Sequence, residues 1–252
     1  MKPLVLTQIA VGNHWVGHIF GQSIYLDTLI SSGVAFMIVL VAGFYLKTRI
    51  TSGVPGRFQA AIEMVWTTVD DYITRMIGPF ARWVVPLVVV LFFYILVSNW
   101  LELIPTGGRL TSPTSDVNDT AALAIIVILM VHVTSIRRRG FGGYLKINYV
   151  HPDGLPWFMY ILLVPINVIA QISYPISLAL RLFGNMFAAA LMLEIIAILP
   201  IYIGFVFNGI WKLFEGLFVD VIQAFIFALL TVIYLSMATM TEEHQATETA
   251  SS

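Results

Sequence analysis

Apolar residues fall in long runs separated by short polar stretches, and each run is long enough to cross a ~30 Å hydrocarbon layer as a helix. The first run predicts a helix over 28–46, closed by Lys47 and Arg49. A second covers 83–104 and stops at Pro105, which cannot continue a helix. A third covers 117–136 and ends at Arg137, Arg138 and Arg139. Two longer runs, 157–199 and 208–240, precede a polar tail at 241–252. A helix of ~40 residues is about 60 Å long, so these two are expected to tilt steeply and to pair as an antiparallel hairpin. Pro165 and Pro175 lie in the fourth run, but without the polar turn residues that a break inside a membrane needs.

A different period appears between the first two runs. After the turn signal Gly53-Val54-Pro55-Gly56, the residues Phe58, Ile62, Val65, Val69 and Ile73 recur at helical spacing, with Glu63, Asp70, Asp71 and Arg75 between them. That pattern predicts an amphipathic helix lying at a membrane interface. The expected fold is therefore an all-α membrane protein: one membrane domain over 1–252, five transmembrane helices, one interfacial helix, and an N-terminal segment at 1–27.

Composition agrees with the pattern. Hydrophobic residues make up 59% of the 252 and charged residues only 11%, against about 25% charge in ordinary soluble domains. With no cysteine, disulfides, thiolate metal sites and cysteine nucleophiles are excluded. The first 25 residues lack the basic start, apolar core and cleavage site of a signal peptide, so the first span is expected to serve as the insertion signal.

Basic residues set the expected orientation. Lys47, Arg49, Arg57, Arg75 and Arg82 lie between the first two spans, and Arg137, Arg138, Arg139 and Lys146 follow the third. The opposite side has only Lys2, Arg109 and Lys212. The asymmetry puts the N-terminus outside and both basic loops, with the C-terminal tail, in the cytoplasm. No internal repeat is visible, which argues against an inverted-repeat transporter.

One residue breaks the apolar pattern in a costly way. From Phe158 to Gly209 the only charged residues are Arg181 and Glu194. An arginine at the centre of a bilayer costs roughly 3 kcal/mol on insertion scales, and it cannot shed its proton to escape. Ser177, Arg181 and Asn185 follow at i, i+4 and i+8 and share a helix face. Ala179, Gly184, Ala188, Ala189 and Ala190 keep the surroundings thin enough for another helix to approach. With the final turn placed near Tyr202 to Gly204, Arg181 and Gln223 each lie 21 residues from Tyr202 and reach similar depth. Asn99, Glu102, Asp116, Asn118 and Asp119 fall at outer span ends, and Asn185, Glu194, Glu215 and Asp220 lie outward of the arginine level. Buried carboxylates and amides must be paired or line water, so these groups are expected to mark a water-filled path ending at mid-membrane. A simpler reading leaves Glu102, Asp116 and Asp119 as solvated loop residues. An inward path is marked less clearly, by Gln171, Ser173, Tyr174 and Ser177. His14, His18 and His132 are protonatable, but a lone membrane histidine more often bonds a backbone carbonyl. No spacing suits a metal site, a cofactor, a phosphate loop or a hydrolytic triad, and no basic patch suits nucleic acid.

The runs PISLALRLFGNMFA and IQAFIFALLTVIYLSMA, with the segments TSGVPGRFQAAIEMV and SPTSDVN, together resemble subunit a of the F-type ATP synthase, in that family's order and spacing across nearly the whole chain. The resemblance implies the stator of a rotary motor, and the absence of a transit peptide fits a bacterial plasma membrane. Its partners would be the c-subunit ring, the b subunits of the peripheral stalk and the rest of the synthase, within the lipid bilayer. Protons would enter one half-channel, protonate a carboxylate on c, ride the ring and leave by a second half-channel. On its own the chain would be non-catalytic. The family's essential arginine matches Arg181, its asparagine four residues later Asn185, and its glutamine on the last helix Gln223. Asn99, Glu102, Asp116 and Asn118 match polar positions of the outer half-channel. A permanent cation there favours the deprotonated c carboxylate and bars direct proton leakage between the channels. Two positions depart from the family. Many members carry a titratable group nine residues after the arginine, here Ala190, and another seven before the glutamine, here Gly216. Glu215, Asp220 or Glu194 is the candidate replacement. The competing readings are a stand-alone channel or transporter with Arg181 as a substrate site, and a structural assembly factor.

Overall fold

A computed structural model describes residues 16–19, 22–50, 55–104, 112–145 and 157–239. Lys2, His14, Arg109, Lys146 and the tail at 241–252, all named above, lie outside the described residues. Two four-residue strands, β1 (Val16–Ile19) and β2 (Gln22–Tyr25), pair antiparallel from Val16–Tyr25 to Ile19–Gln22. This local ribbon directly precedes the first helix and leaves the protein all-α in class.

Seven α-helices follow: α1 (Leu26–Arg49), α2 (Arg57–Met76), α3 (Val85–Trp100), α4 (Val117–Leu145), α5 (Trp157–Ala197), α6 (Ile201–Phe214) and α7 (Asp220–Thr239). A π turn, Glu215–Val219, joins α6 to α7, and a 3₁₀ segment, Pro79–Val84, leads into α3. Five stretches are long and apolar enough to cross a bilayer: Leu26–Thr48, Ala81–Leu103, Val117–Arg137, Ile161–Ala197 and Ile201–Met237. The chain is a multi-pass membrane protein. Pro165 and Pro175 are absorbed within α5 without ending it.

Local chemistry explains the helix ends. The carboxylate of Asp116 accepts a hydrogen bond from the backbone N–H of Asn118 at 2.8 Å, and so caps the first turn of α4. Past the Arg137–Arg139 cluster, α4 kinks at Gly140, whose φ of 71° suits a residue without a Cβ, and resumes to Leu145, beyond the expected end at 136. The break between the last two segments falls at 198–200, ahead of the expected Tyr202–Gly204 turn. Pro200 lacks an N–H, takes an extended conformation and caps α6, whose helix is under way from Ile201 and not from Asn208. Gly204 permits tight packing there, since a Cβ would stand 3.1 Å from the carbonyl oxygen of Ile196.

The chain divides into two compact units. Unit 2 takes Tyr45–Phe92, Ala121–Ala179 and Phe225–Ser252. In it Tyr174 packs against Tyr234 with ring centroids 4.9 Å apart, and Arg137 covers Trp83 at 5.2 Å. His132 meets the hydroxyl of Tyr144 at 3.2 Å, a local partner that accounts for this histidine. On α2, Gln59 and Ile73 are buried whereas Met64 and Trp66 are exposed, and Asp70 pairs with Arg82 at 3.2 Å. Unit 1 takes Met1–Phe44, Phe93–Thr120 and Leu180–Ala224. It contains Arg181, Asn185, Glu194, Glu215, Asp220 and Gln223, with Asn99, Glu102, Asp116, Asn118 and Asp119.

Candidate functional site

Arg181 lies on α5, one turn before Asn185. Leu182, Met186 and Ala189 form a buried stripe on this helix. Arg181 itself is on the opposite, exposed side with Leu180, Gly184, Phe187 and Ala188. It makes no hydrogen bond or ion pair with any described residue. The guanidinium thus has no partner among the described residues, on a face thinned by Gly184 and Ala188. Asn185 is half-buried, and its side-chain amide nitrogen is enclosed without a partner.

A second set of polar groups gathers where the end of α3 meets α6, the π turn and the start of α7. Glu215, Asp220 and Gln223 are 3%, 1% and 6% exposed, and Asn99 is fully enclosed. Each has a buried side-chain atom without a hydrogen-bond partner: Oε1 of Glu215, Oδ1 of Asp220, Nε2 of Gln223 and Nδ2 of Asn99. Glu102, Glu215 and Asp220 stand within electrostatic reach of one another, with Lys212 near the first two and Asn99 beside Asp220. The ammonium of Lys212 donates to the carbonyl of Glu102 at 3.2 Å. Trp100 donates its indole N–H to the carbonyl of Gly216 at 2.8 Å. Native interiors leave few buried polar atoms unsatisfied, so four of them around one turn set this region apart from ordinary packing.

The connection before α4 supports this cluster from the other side of Asn99. The hydroxyl of Thr114 donates to Oδ1 of Asn99 at 2.6 Å and shares a 2.6 Å bond with the hydroxyl of Ser112. All three residues are buried. Asp116 is buried as the cap of α4, while Asn118 is exposed and its side-chain amide donates to Asp116 at 3.1 Å. A further group centres on Asp119, whose carboxylate accepts from the hydroxyl of Ser32 on α1 at 2.9 Å, near Tyr94.

The structure thus brings Asn99, Glu102, Glu215 and Asp220 together, with Gln223 one turn beyond Asp220. Asp116 and Asn118 serve first as a helix cap. Glu194 is half-buried and makes no hydrogen bond or ion pair with a described residue. Sequence reasoning left out Trp100, Thr114, Ser32 and Lys212. Only Lys212 carried a signal that could have been read: a cation three residues before Glu215 in an apolar helix is well placed for an i, i+3 interaction.

Known proteins are similar to this chain along nearly its whole length. The family model described as ATP synthase A chain matches residues 29–236. The chain is 39% identical over 251 residues to the ATP synthase subunit a of Acidothermus cellulolyticus, covering 98% of this chain and 89% of that one. It is 40% identical over 253 residues to the ATP synthase subunit a of Mycobacterium tuberculosis, covering 96% and 98%. It is 34% identical over 255 residues to the ATP synthase subunit a 2 of Vibrio campbellii, covering 95% and 94%. Matched along most of its length by the family model and nearly end to end by these relatives, the chain belongs to the ATP synthase A chain family.

Proposed function

We propose that the chain is the stator subunit of an F-type ATP synthase membrane sector, and that it carries two offset half-channels serving a ring of c subunits. The observation that carries this reading is Arg181: a permanent cation on an exposed face of a membrane helix, with no partner among the described residues. Its natural counterpart is a carboxylate on a neighbouring rotor. Attraction between the two favours release of the rotor's proton as it passes, and the fixed positive charge repels a proton trying to cross directly between the channels.

The cluster of Asn99, Glu102, Glu215, Asp220 and Gln223 supplies the outer half-channel, with Asp116 and Asn118 at its entrance and Asn185 between it and the arginine. Its unsatisfied atoms are the kind that water files bridge. The inner path follows the polar positions of the first half of α5. In this reading α2 lies at the interface, α5 pairs with α6 and α7 as a tilted antiparallel hairpin, and the basic loops face the cytoplasm. The membrane is the bacterial plasma membrane, the transported ion is H⁺, and the b subunits and catalytic head complete the partners. The chain itself catalyses no bond chemistry.

The test is ATP-driven proton uptake by vesicles carrying the assembled complex, wild type against Arg181→Ala. Uptake is expected to vanish while the other subunits stay assembled. Because Arg181 makes no hydrogen bond or ion pair with a described residue, stability is expected to stay within about 0.5 kcal/mol. Uptake at the wild-type level would overturn the reading.

A further inference from the structure

We infer that Trp100 is a positioning residue for proton transfer: its bond to Gly216 holds the π turn that sets Glu215 and Asp220 on one buried face as the relay pair. The inference rests on the half-channel reading above and chooses among the candidate carboxylates.

The geometry is informative because it defies the ordinary helix. An α-helix advances about 100° per residue, so residues five apart stand about 140° apart and cannot both face inward from one side. Glu215 and Asp220 are nevertheless 3% and 1% exposed, while Leu217 and Phe218 between them are each 57% exposed. The π turn resolves the conflict. The N–H of Asp220 reaches back to the carbonyl of Glu215, an i→i+5 bond that returns the chain to the same side after five residues. From Asp220 the regular α-helix carries Gln223 to that side again, three residues on. Three side chains with unsatisfied buried atoms are thereby aligned.

A π turn is a rare conformation and persists where something outside the helix holds it. Here α3 does so in two ways. The indole of Trp100 donates to the carbonyl of Gly216 at 2.8 Å, and the side chain of Leu103 occupies the space where a Cβ on residue 216 would stand. Glycine at 216 is therefore part of the device: α3 closes on bare backbone, and the carboxylate is carried by the neighbouring residue. Glu194, half-buried on α5 and without such a partner, is left out of the relay. In the relay a proton moves between the two carboxyl groups through a bridging water, one O–H bond breaking for each that forms, with no oxidation.

The test uses the assembled complex in vesicles and three variants. Trp100→Phe keeps an aromatic ring and removes the donor. Proton uptake is expected to fall about ten-fold or more, the size of loss that follows from misplacing a reacting group. Deleting the exposed Leu217 in the Trp100→Phe background removes the extra residue of the turn. It leaves the two carboxylates four positions apart on one face of a plain α-helix, and uptake is expected to recover. Wild-type uptake in Trp100→Phe would overturn the inference, as would a Trp100→Phe defect that the deletion fails to relieve. The double variant Glu215→Gln with Asp220→Asn separates the two levels. If it loses uptake while Trp100→Phe is unaffected, only the role of Trp100 falls. If it pumps as wild type, the half-channel assignment of these carboxylates falls with it.

Discussion

The indole N–H of Trp100 donates a 2.8 Å hydrogen bond to the carbonyl of Gly216, tying the last residue of α3 to a π turn 116 positions later. Glycine at 216 leaves room for the side chain of Leu103 beside this bond. A Cβ at 216 would overlap a terminal methyl of Leu103 and crowd its Cγ at 3.3 Å. Gly216→Val is therefore expected to destabilise the subunit by about 1–3 kcal/mol, the usual penalty for overpacking. Thermal unfolding of the purified complex measures it. Adding Leu103→Ala is expected to recover part of the loss, whereas Leu103→Ala alone opens a cavity and destabilises.

Asn99 depends on a donor that periodicity does not reveal. Thr114 satisfies Oδ1 of Asn99 at 2.6 Å, while Nδ2 remains enclosed without a partner. Thr114→Val keeps the shape and removes the bond, so a second buried polar atom is left bare. A loss of about 1–3 kcal/mol is expected. Thr114→Ser retains the hydroxyl and is expected to lie much closer to wild type. The two melting temperatures, compared side by side, decide the point.

Asp116 has a structural task that precedes any channel role. Its carboxylate accepts from the N–H of Asn118 and caps α4. Asp116→Ala is expected to cost about 1 kcal/mol. Amide exchange in the first turn of α4 should speed up roughly five-fold, the equivalent of that energy. Asp116→Asn, which also caps well, should leave exchange nearly unchanged. If the Asn variant nonetheless lowers proton uptake, the carboxylate matters for the path as well as for the helix.

Asp119 and Ser32 link α4 to α1 through a 2.9 Å bond. Ser32→Ala removes a donor to a carboxylate, a class of bond worth about 1.5–3 kcal/mol, and the melting temperature of the complex should fall accordingly. An unchanged melting temperature would mean that water replaces the hydroxyl at no loss.

Much of the molecule was legible along the chain. Runs of apolar residues located five spans because a bilayer admits only helices long enough to cross it, and hydropathy reads that length directly. Arg181 stood out for a similar reason: in lipid an unpaired arginine is too costly to be incidental. The helix ends were less legible. Where a helix ends at Pro200 or kinks at Gly140 depends on one or two residues, and a window average blurs them.

Hydropathy and side-chain chemistry alone established the class, the spans, the isolated cation and the family resemblance, because these depend on local composition and on the cost of charge in lipid. Which carboxylates stand together was decided only in three dimensions. A regular helical wheel separates Glu215 from Asp220, and nothing in the spacing announces a π turn. The turn exists because Trp100 and Leu103, more than a hundred residues earlier, meet the bare backbone of Gly216. A donor that distant in the chain leaves no periodic trace, so the alignment it enforces belongs to the tertiary structure.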